Sequence, residues 1–479
     1  MSGRKAPKAR KAEQSTSLHV EERPTWLRPL VQGRDPRYLQ IADQVARAVR
    51  QGTLKPGDQV PPQRWLASQL GVDLTTVTRA YAEVRSRGLI ASFGGRGSFI
   101  AESYSAPRRA TVDMAMNVPP LPAKRALADH INSGIENLLR NSGAESVSGY
   151  QNPELDSSAL QAAKVWLGPM FKAMSGSRVL MCAGAQGAIY NLLLTHTRRG
   201  DPVLCDSLTY PGFLRAARAL GLKIVGVPRD ASGMLPDAIE RCRRETGARV
   251  LYLNPTIQNP TTCTMPADRR REIAELIHRH DLTLIEDDPY WPLASDAPLP
   301  ISSYMAGGHA FYLASLSKCL SPSLRLAYVL APSGGATSML AECFRASGMS
   351  CSPLLAHLAQ TWILNGTAKD LLREIQIETR ARQTLARSIL PDGVDAHRTG
   401  IHLWLSLPRH WKPQAFGHAL ENRGIQIANT DVFDANEADP AGVRICIGGA
   451  QSHFELTAAL QQIRALVLEG RPEGDSMVV

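Results

Sequence analysis

The sequence predicts an α/β protein in two parts: a small helical unit with a strand pair, then a large body on a mostly parallel sheet. Three observations carry this. Beyond residue 178, short apolar runs alternate with helical stretches for more than 150 residues, the pattern of a sheet covered on both faces. The first hundred residues read instead as three helices followed by two short strands. The charge divides at the same place. Residues 1–100 carry 17 Lys and Arg against 8 Asp and Glu, and the remaining 379 carry 37 against 36.

At 479 residues the chain is long enough for two or three domains. Hydrophobic residues at 44% and charged residues at 20% are ordinary for a soluble globular protein. No apolar run reaches membrane-spanning length, and no apolar stretch follows the basic start. Eight cysteines without a CxxC pair suggest neither a disulfide framework nor a zinc site. No metal is expected, and a cytoplasmic location fits the thiols best.

Residues 1–35, opening "MSGRKAPKARKAEQSTS", read as a basic disordered tail. From Tyr38, "YLQIADQVARAVRQG" sets Leu39, Ile41, Ala42, Val45, Ala46 and Val49 largely on one helical face, ended by Gly52. "LKPGDQVP" is turn chemistry. A second helix, "PPQRWLASQL", stops at Gly71, and Asp73 is placed to cap a third, "LTTVTRAYAEVRSRG". "GLIASFGGRGSFI" then reads as two strands around a glycine tip bearing Arg96. Residues 36–100 are therefore expected to form a winged helix-turn-helix whose recognition helix opens with Thr75 and Thr76. Such a helix lays its first side chains in the major groove of double-stranded DNA, and the positive excess of this part agrees. A small protein-interaction module is the alternative. "AESYSAPRRATV", residues 101–112, is a linker that spans at most ~40 Å.

The body, residues 113–470, has strands at "RVLMC", "PVLCD", "KIVGV", "RVLYL" and "LTLIEDD", with helices such as "PADRRREIAELIHRH" between them. From about Pro391, "IHLWLSL" and "VRICIGG" with two helices suggest a smaller α+β lobe. Ligands of such sheets bind beyond the carboxyl ends of the strands. There stand "AGAQGA" after "RVLMC", "SLTYPGF" after "PVLCD", "NPTIQNPTT" after "RVLYL", "DDPY" after "LTLIE" and "SLSK" after "HAFYLA". The small residues of "AGAQGA" lead into a helix whose free N–H groups suit a phosphate. In "SLSKCLSPSLR" a lysine is followed seven residues later by an arginine. A lysine kept for chemistry forms an imine and a nearby arginine holds an anion, which together ask for a ligand with an aldehyde and a phosphate. Taken alone, a surface turn with two cations reads the same.

Two resemblances follow from these motifs. "LKPGDQVPPQRWLASQLGVDLTTVTRAYAEVRSRGLI" with the "GRGSF" wing resembles the GntR family of bacterial regulators, which implies DNA contacts from Arg64, Thr76, Arg79 and Arg96. Leu74 stands where family members often have arginine. The five segments of the body are similar to the fold-type I pyridoxal-phosphate (PLP) enzymes, the aspartate aminotransferase family. With both parts on one chain, the sequence is identified as a member of the MocR group of GntR regulators. The resemblance implies an imine at Lys318 and a pairing of Asp287, with Asp288 as its alternative, to the pyridinium nitrogen. Asn259 and Tyr290 are implied on the phenolic oxygen and Tyr210 on the ring face. Ser315, Arg325 and the backbone of Gly184, Ala185 and Gln186 are implied on the phosphate. Tyr150 matches the tyrosine that reaches a neighbouring subunit's phosphate, hence a homodimer, and Arg444 the arginine that binds a carboxylate. "QNPTT" in place of "QNPTG", and a "YQNPELDSSALQ" segment without the usual glycine and Leu-Arg, are departures. Two functions follow: a regulator sensing PLP or an amine or amino-acid effector by exchange at Lys318, or an active aminotransferase with an appended DNA-binding domain.

Overall fold

The computed structural model describes residues 24–30, 36–50, 52–55, 57–86, 89–93, 97–100, 112–120, 124–141, 149, 152–172, 174–305, 308–436 and 442–469. The chain divides into two compact units, Met1–Ala110 and Thr111–Val479.

In the first unit, α1 (Arg37–Arg50), α2 (Gln63–Leu70) and α3 (Leu74–Ser86) precede the strands β1 (Ile90–Phe93) and β2 (Gly97–Ile100). The apolar face of α1 buries Ile41, Ala42, Val45, Ala46 and Val49 against Leu66, Val77, Ala80 and Val84. Gly71 ends α2 with φ 59°, a left-handed turn that glycine adopts without strain. The Thr78 hydroxyl donates to Gln63 Oε1 (2.9 Å) and the Tyr81 hydroxyl to the Pro61 carbonyl (2.6 Å), tying α3 to the start of α2. β1 and β2 pair antiparallel from Ile90↔Ile100 to Phe93↔Gly97.

One expectation is corrected here. The tail read as disordered through residue 35 contains Pro24–Leu30, which packs on this core. Leu27 is buried, with Trp26 and Leu30 against the same cluster, and Arg28 and Gln44 exchange two hydrogen bonds. Its three apolar side chains had a surface to bury against that the tail's composition does not reveal. The rest of the expected tail and linker residues 101–111 lie outside the described residues.

The second unit opens with β3 (Val112–Asp113), α4 (Lys124–Asn141), α5 (Ser157–Leu167), β4 (Val179–Cys182), α6 (Ala185–His196), β5 (Pro202–Asp206), α7 (Pro211–Ala219) and β6 (Lys223–Val227). A hairpin of β7 (Arg229–Asp230) and β8 (Gly233–Met234) leads to α8 (Pro236–Thr246), β9 (Val250–Leu253), α9 (Ala267–Arg279), β10 (Thr283–Asp287), β11 (Ala310–Ser315) and β12 (Ala327–Leu330). Helices α10 (Gly334–Ala346), α11 (Pro353–Leu364) and α12 (Thr367–Ile389) follow. The chain ends in β13 (Val394–Ala396), β14 (His402–Ser406), α13 (Pro413–Asn422), β15 (Ile425–Gln426), β16 (Ala428–Asn429), β17 (Gly442–Cys446) and α14 (His453–Leu468).

The large sheet has the order β4-β12-β11-β10-β9-β5-β6. Only β12 runs against the other six. The carboxyl ends of β4, β5, β9, β10 and β11 therefore share one edge. Of these, β4, β9 and β11 are buried along their length, as covering on both faces requires. The small lobe is built on the antiparallel sheet β13-β14-β17-β16. It also takes in the start of the body: β3 pairs with β15, Val112↔Ile425, and Met114 sits in the lobe's core. Helix α12 joins the two parts, burying Ile375 in the large core and Ala386 in the small one. Among the described residues no helix is long and apolar enough to cross a membrane.

Candidate functional site

At the shared carboxyl edge lies a cleft of about 360 Å³ lined by Gly184, Ala185, Gln186, Tyr210, Asn254, Asn259, Asp287, Tyr290, Ser315, Ser317, Lys318 and Arg325, with Met116, Val118, Pro289 and Pro322. Ten of the residues expected from sequence thus meet in one place, from segments up to 141 positions apart.

Lys318 follows the end of β11, where the chain turns on Ser315. The Ser315 hydroxyl accepts from the Ser317 N–H (3.2 Å) and donates to the Ser317 hydroxyl (3.0 Å). Buried Leu316 and Cys319 hold the turn to the core and leave the lysine facing the cleft. Its Nζ donates to the carbonyl of Asn117 at 2.5 Å. Burial lowers this amine to about 8, with the Arg444 and Arg325 charges adding to the effect and Cys446 and Asp287 opposing it.

Asp287 ends β10. Its Oδ2 accepts from the Tyr252 hydroxyl (2.8 Å), while Oδ1 is buried with no partner. Burial raises the carboxyl to about 6, against the pull of Tyr252 and Lys318. A buried carboxylate oxygen without a partner asks for a charged N–H from whatever enters. Asp288, its alternative, accepts from the Thr256 hydroxyl (3.0 Å) and is not part of the cleft lining. Of the two, Asp287 faces the cleft.

A polar web surrounds this pair. Asn254 donates to the Asp287 carbonyl (2.7 Å) and accepts from the Asn259 N–H (2.8 Å). Asn259 Oδ1 accepts from Arg444 at 2.7 Å. The Tyr290 hydroxyl accepts from Asn117 Nδ2 (2.9 Å), which also lies 3.2 Å from His402 Nδ1. His402 Nε2 is 3.2 Å from the Gln258 carbonyl, so the proton sits on Nε2 and Nδ1 accepts. Burial, with Arg444 adding, lowers His402 to about 3, and it stays neutral near pH 7.

The other end of the cleft is built for an anion. Helix α6 begins at Ala185 after Gly184, whose φ is 95°, and its first N–H groups have no helical acceptor. Gln186 donates to the Gly212 carbonyl (2.9 Å) and its Oε1 is buried without a partner. A Cβ at position 184 would lie 3.7 Å from the Arg325 guanidinium, so the two are neighbours. Among the described residues the exposed Arg325 side chain makes no hydrogen bond or ion pair. A helix start, two serine hydroxyls and a free guanidinium suit a phosphate dianion, and Lys318 suits an aldehyde. The donor set fits pyridoxal phosphate.

Arg444 is placed differently from the rest. It is 7% exposed, is not among the cleft-lining residues, and donates through Nη2 to the carbonyl of Ala115 (2.6 Å). Tyr150 lies outside the described residues. Sequence reasoning missed Ser317, Asn254, Tyr252, His402 and Asn117. Ser317 and Asn254 stand inside quoted motifs and were legible there. His402 was signalled by a histidine in the apolar run "IHLWLSL". Tyr252 and Asn117 carried no signal of their own.

On the first unit, Arg64 and Thr75 are exposed and Thr76 is half-buried. Arg79 is exposed along α3 with its guanidinium 4.5 Å above the Tyr38 ring. Arg96 lies outside the described residues.

A mixed sheet of this order, with a lysine, an aspartate and an anion cradle at its carboxyl edge, defines an aminotransferase-like protein of fold type I. Residues 110–463 match the family "Aminotransferase class I and II", to which the chain belongs, and residues 37–100 match "Bacterial regulatory proteins, gntR family". The chain is 28% identical to the HTH-type transcriptional regulator YdeF of Bacillus subtilis (strain 168), over 92% of this chain and 97% of that protein. It is 27% identical to the vitamin B6 salvage pathway transcriptional repressor PtsJ of Salmonella typhimurium, over 85% and 93%. The kynurenine aminotransferase of Pyrococcus horikoshii shares the fold, with a TM-score of 0.68 at 20% identity over 75% of this chain and 92% of that one. The class I and II aminotransferase fold family is PLP-dependent, and GntR helix-turn-helix regulators bind DNA. The pairing agrees with the MocR group.

Proposed function

We propose that the chain is a PLP-dependent, DNA-binding transcriptional regulator whose body senses PLP or an amine or amino-acid effector at Lys318. The observation that carries this is the buried, unpartnered Asp287 oxygen across the cleft from Lys318, on a chain that opens with a gntR-type helix-turn-helix. The names of YdeF and PtsJ support it.

Pyridoxal phosphate, when bound, supplies an aldehyde that condenses reversibly with a primary amine and a ring nitrogen that carries a proton. Lys318 supplies the resident amine. Asp287 Oδ1 would take the ring N–H, the Asn259 amide and Tyr290 hydroxyl would meet the phenolic oxygen, and Tyr210 would stack on the ring. The first N–H groups of α6, with Ser315, Ser317 and Arg325, would hold the phosphate. Tyr150 serves the neighbouring subunit's phosphate, which makes the protein a homodimer. Arg444 takes the effector's carboxylate. Arg64, Thr75, Thr76, Arg79 and Arg96 meet an operator in the cytoplasm, where a two-fold protein reads paired half-sites.

Only the free amine of Lys318 attacks an aldehyde. With a value of about 8, roughly one molecule in ten carries it at pH 7 and one in a hundred at pH 6. The rate of PLP loading at fixed PLP should therefore rise about tenfold from pH 6 to 7 and level off near pH 9. A rate still climbing steeply at pH 10 would show an ordinary exposed lysine. For DNA, Arg64→Ala and Arg79→Ala should each weaken operator binding, and the salt slope should fall by about one for each phosphate no longer neutralised. Salt titrations of operator and unrelated DNA read this out. Unchanged affinity in both variants removes α2 and α3 from the interface. Turnover of common amino acids at roughly 1–1000 per second would select the enzyme reading.

A further inference from the structure

The segment Asp113–Val118 lies over the site as a strap. β3 anchors its start, and the Cys446 N–H donates to the Met114 carbonyl (2.8 Å). Asp113 Oδ1 accepts from both the Ala115 and Met116 N–H groups at 2.9 Å, bending the strap so that two carbonyls turn inward. They meet the two groups that matter most. The Ala115 carbonyl takes Arg444 Nη2 (2.6 Å) and the Asn117 carbonyl takes Lys318 Nζ (2.5 Å). Met116 and Val118 line the cleft, while Arg444 does not. The strap needs a bed without side chains: a Cβ at Gly448 would collide with the Val118 carbonyl and one at Gly449 with the Asp113 carbonyl. That is the physical reason for the glycines of "VRICIGG".

We propose that this strap is a latch over Arg444 that only an amine carrying a carboxylate can open. The inference rests on the reading of Lys318 and Arg444 given above. An aldehyde condensed on Lys318 would take two hydrogens from its amine as water and leave no ammonium to donate to Asn117. That frees one tether. The second, Ala115 to Arg444, yields only to a better acceptor. A carboxylate replaces a neutral carbonyl with an ionised partner that can take two parallel N–H bonds from the guanidinium, and so also relieves the bare Arg444 Nε, buried without a partner. A plain amine brings nothing that competes for Arg444, so the strap stays seated. Specificity therefore lies in opening as well as in binding.

The test uses the full-length PLP-loaded protein with L-alanine and β-alanine against ethylamine, the amine both would leave on losing their carboxylate. Asp113→Ala removes both strap-bending hydrogen bonds at an exposed position. Because ligand affinity scales with the open fraction, both alanines should bind about tenfold more tightly to this variant, with ethylamine unchanged. Asp113→Asn keeps an oxygen acceptor and should behave as wild type. Hydrogen exchange of residues 112–118 in the wild type should quicken with either alanine and not with ethylamine. Equal alanine affinity in Asp113→Ala and wild type, a matching gain for ethylamine, no binding of either alanine, or exchange unaltered by them overturns the latch. A borohydride adduct at Lys318, measured on the same protein before any amine is added, separates the causes. If it is present the latch alone has failed, and if it is absent the reading of Lys318 has failed with it.

Discussion

Lys318→Ala protein should be colourless and carry no borohydride-stable adduct, where the wild type should carry one per chain and be yellow. The expectation follows from placement. Lys318 is the lysine of the cleft lining, its amine is lowered to about 8 by burial, and the turn at Ser315 holds it above the edge of β11. Reduction followed by peptide mapping reads the outcome, and an adduct at another lysine would refute the assignment. The same variant should keep operator affinity but lose the response to PLP or amino acid. A tenfold response corresponds to about 1.4 kcal/mol of coupling between the ligand site and DNA binding. Footprinting with and without ligand, on wild type and variant, measures it. A variant that responds as fully as the wild type places sensing elsewhere.

Asp287→Ala should weaken PLP binding by a hundredfold or more. Removing one partner of a buried charge pair leaves the other uncompensated, at a cost of about 3 kcal/mol. Here the stranded charge would be the ring N–H of bound PLP. The variant also strands the Tyr252 hydroxyl, which now donates to Asp287 at 2.8 Å, and an unsatisfied buried donor costs about 1–3 kcal/mol of stability. Pairing Asp287→Ala with Tyr252→Phe removes that second cost, so PLP affinity and thermal stability can be separated. Recovered stability with affinity still reduced supports the pairing. Affinity recovered along with stability would make Asp287 a structural residue.

The sequence by itself determined the two-part division and the strand–helix alternation. It also located the segments that meet at the carboxyl edge, because hydrophobic period, turn residues and charge are local properties. The ten expected lining residues were legible because each ends or follows a strand, and in a parallel sheet the strand ends converge whatever the helices between them do. The order of the seven strands was not legible. Nothing local in "RLAYVL" says that β12 runs antiparallel between β11 and β4. Nor could composition show that Trp26, Leu27 and Leu30 pack on the winged helix, since a segment's order depends on the surface offered to it. The tertiary structure alone decided which of two adjacent aspartates faces the cleft, and that His402 is neutral and bridged by Asn117. It also decided that the carbonyls of Ala115 and Asn117 occupy the groups a ligand needs. Lys318 and Asn117 are 201 residues apart, and a backbone carbonyl carries no side-chain signature. Contacts of that kind exist only once the small lobe has closed the chain back onto its own beginning.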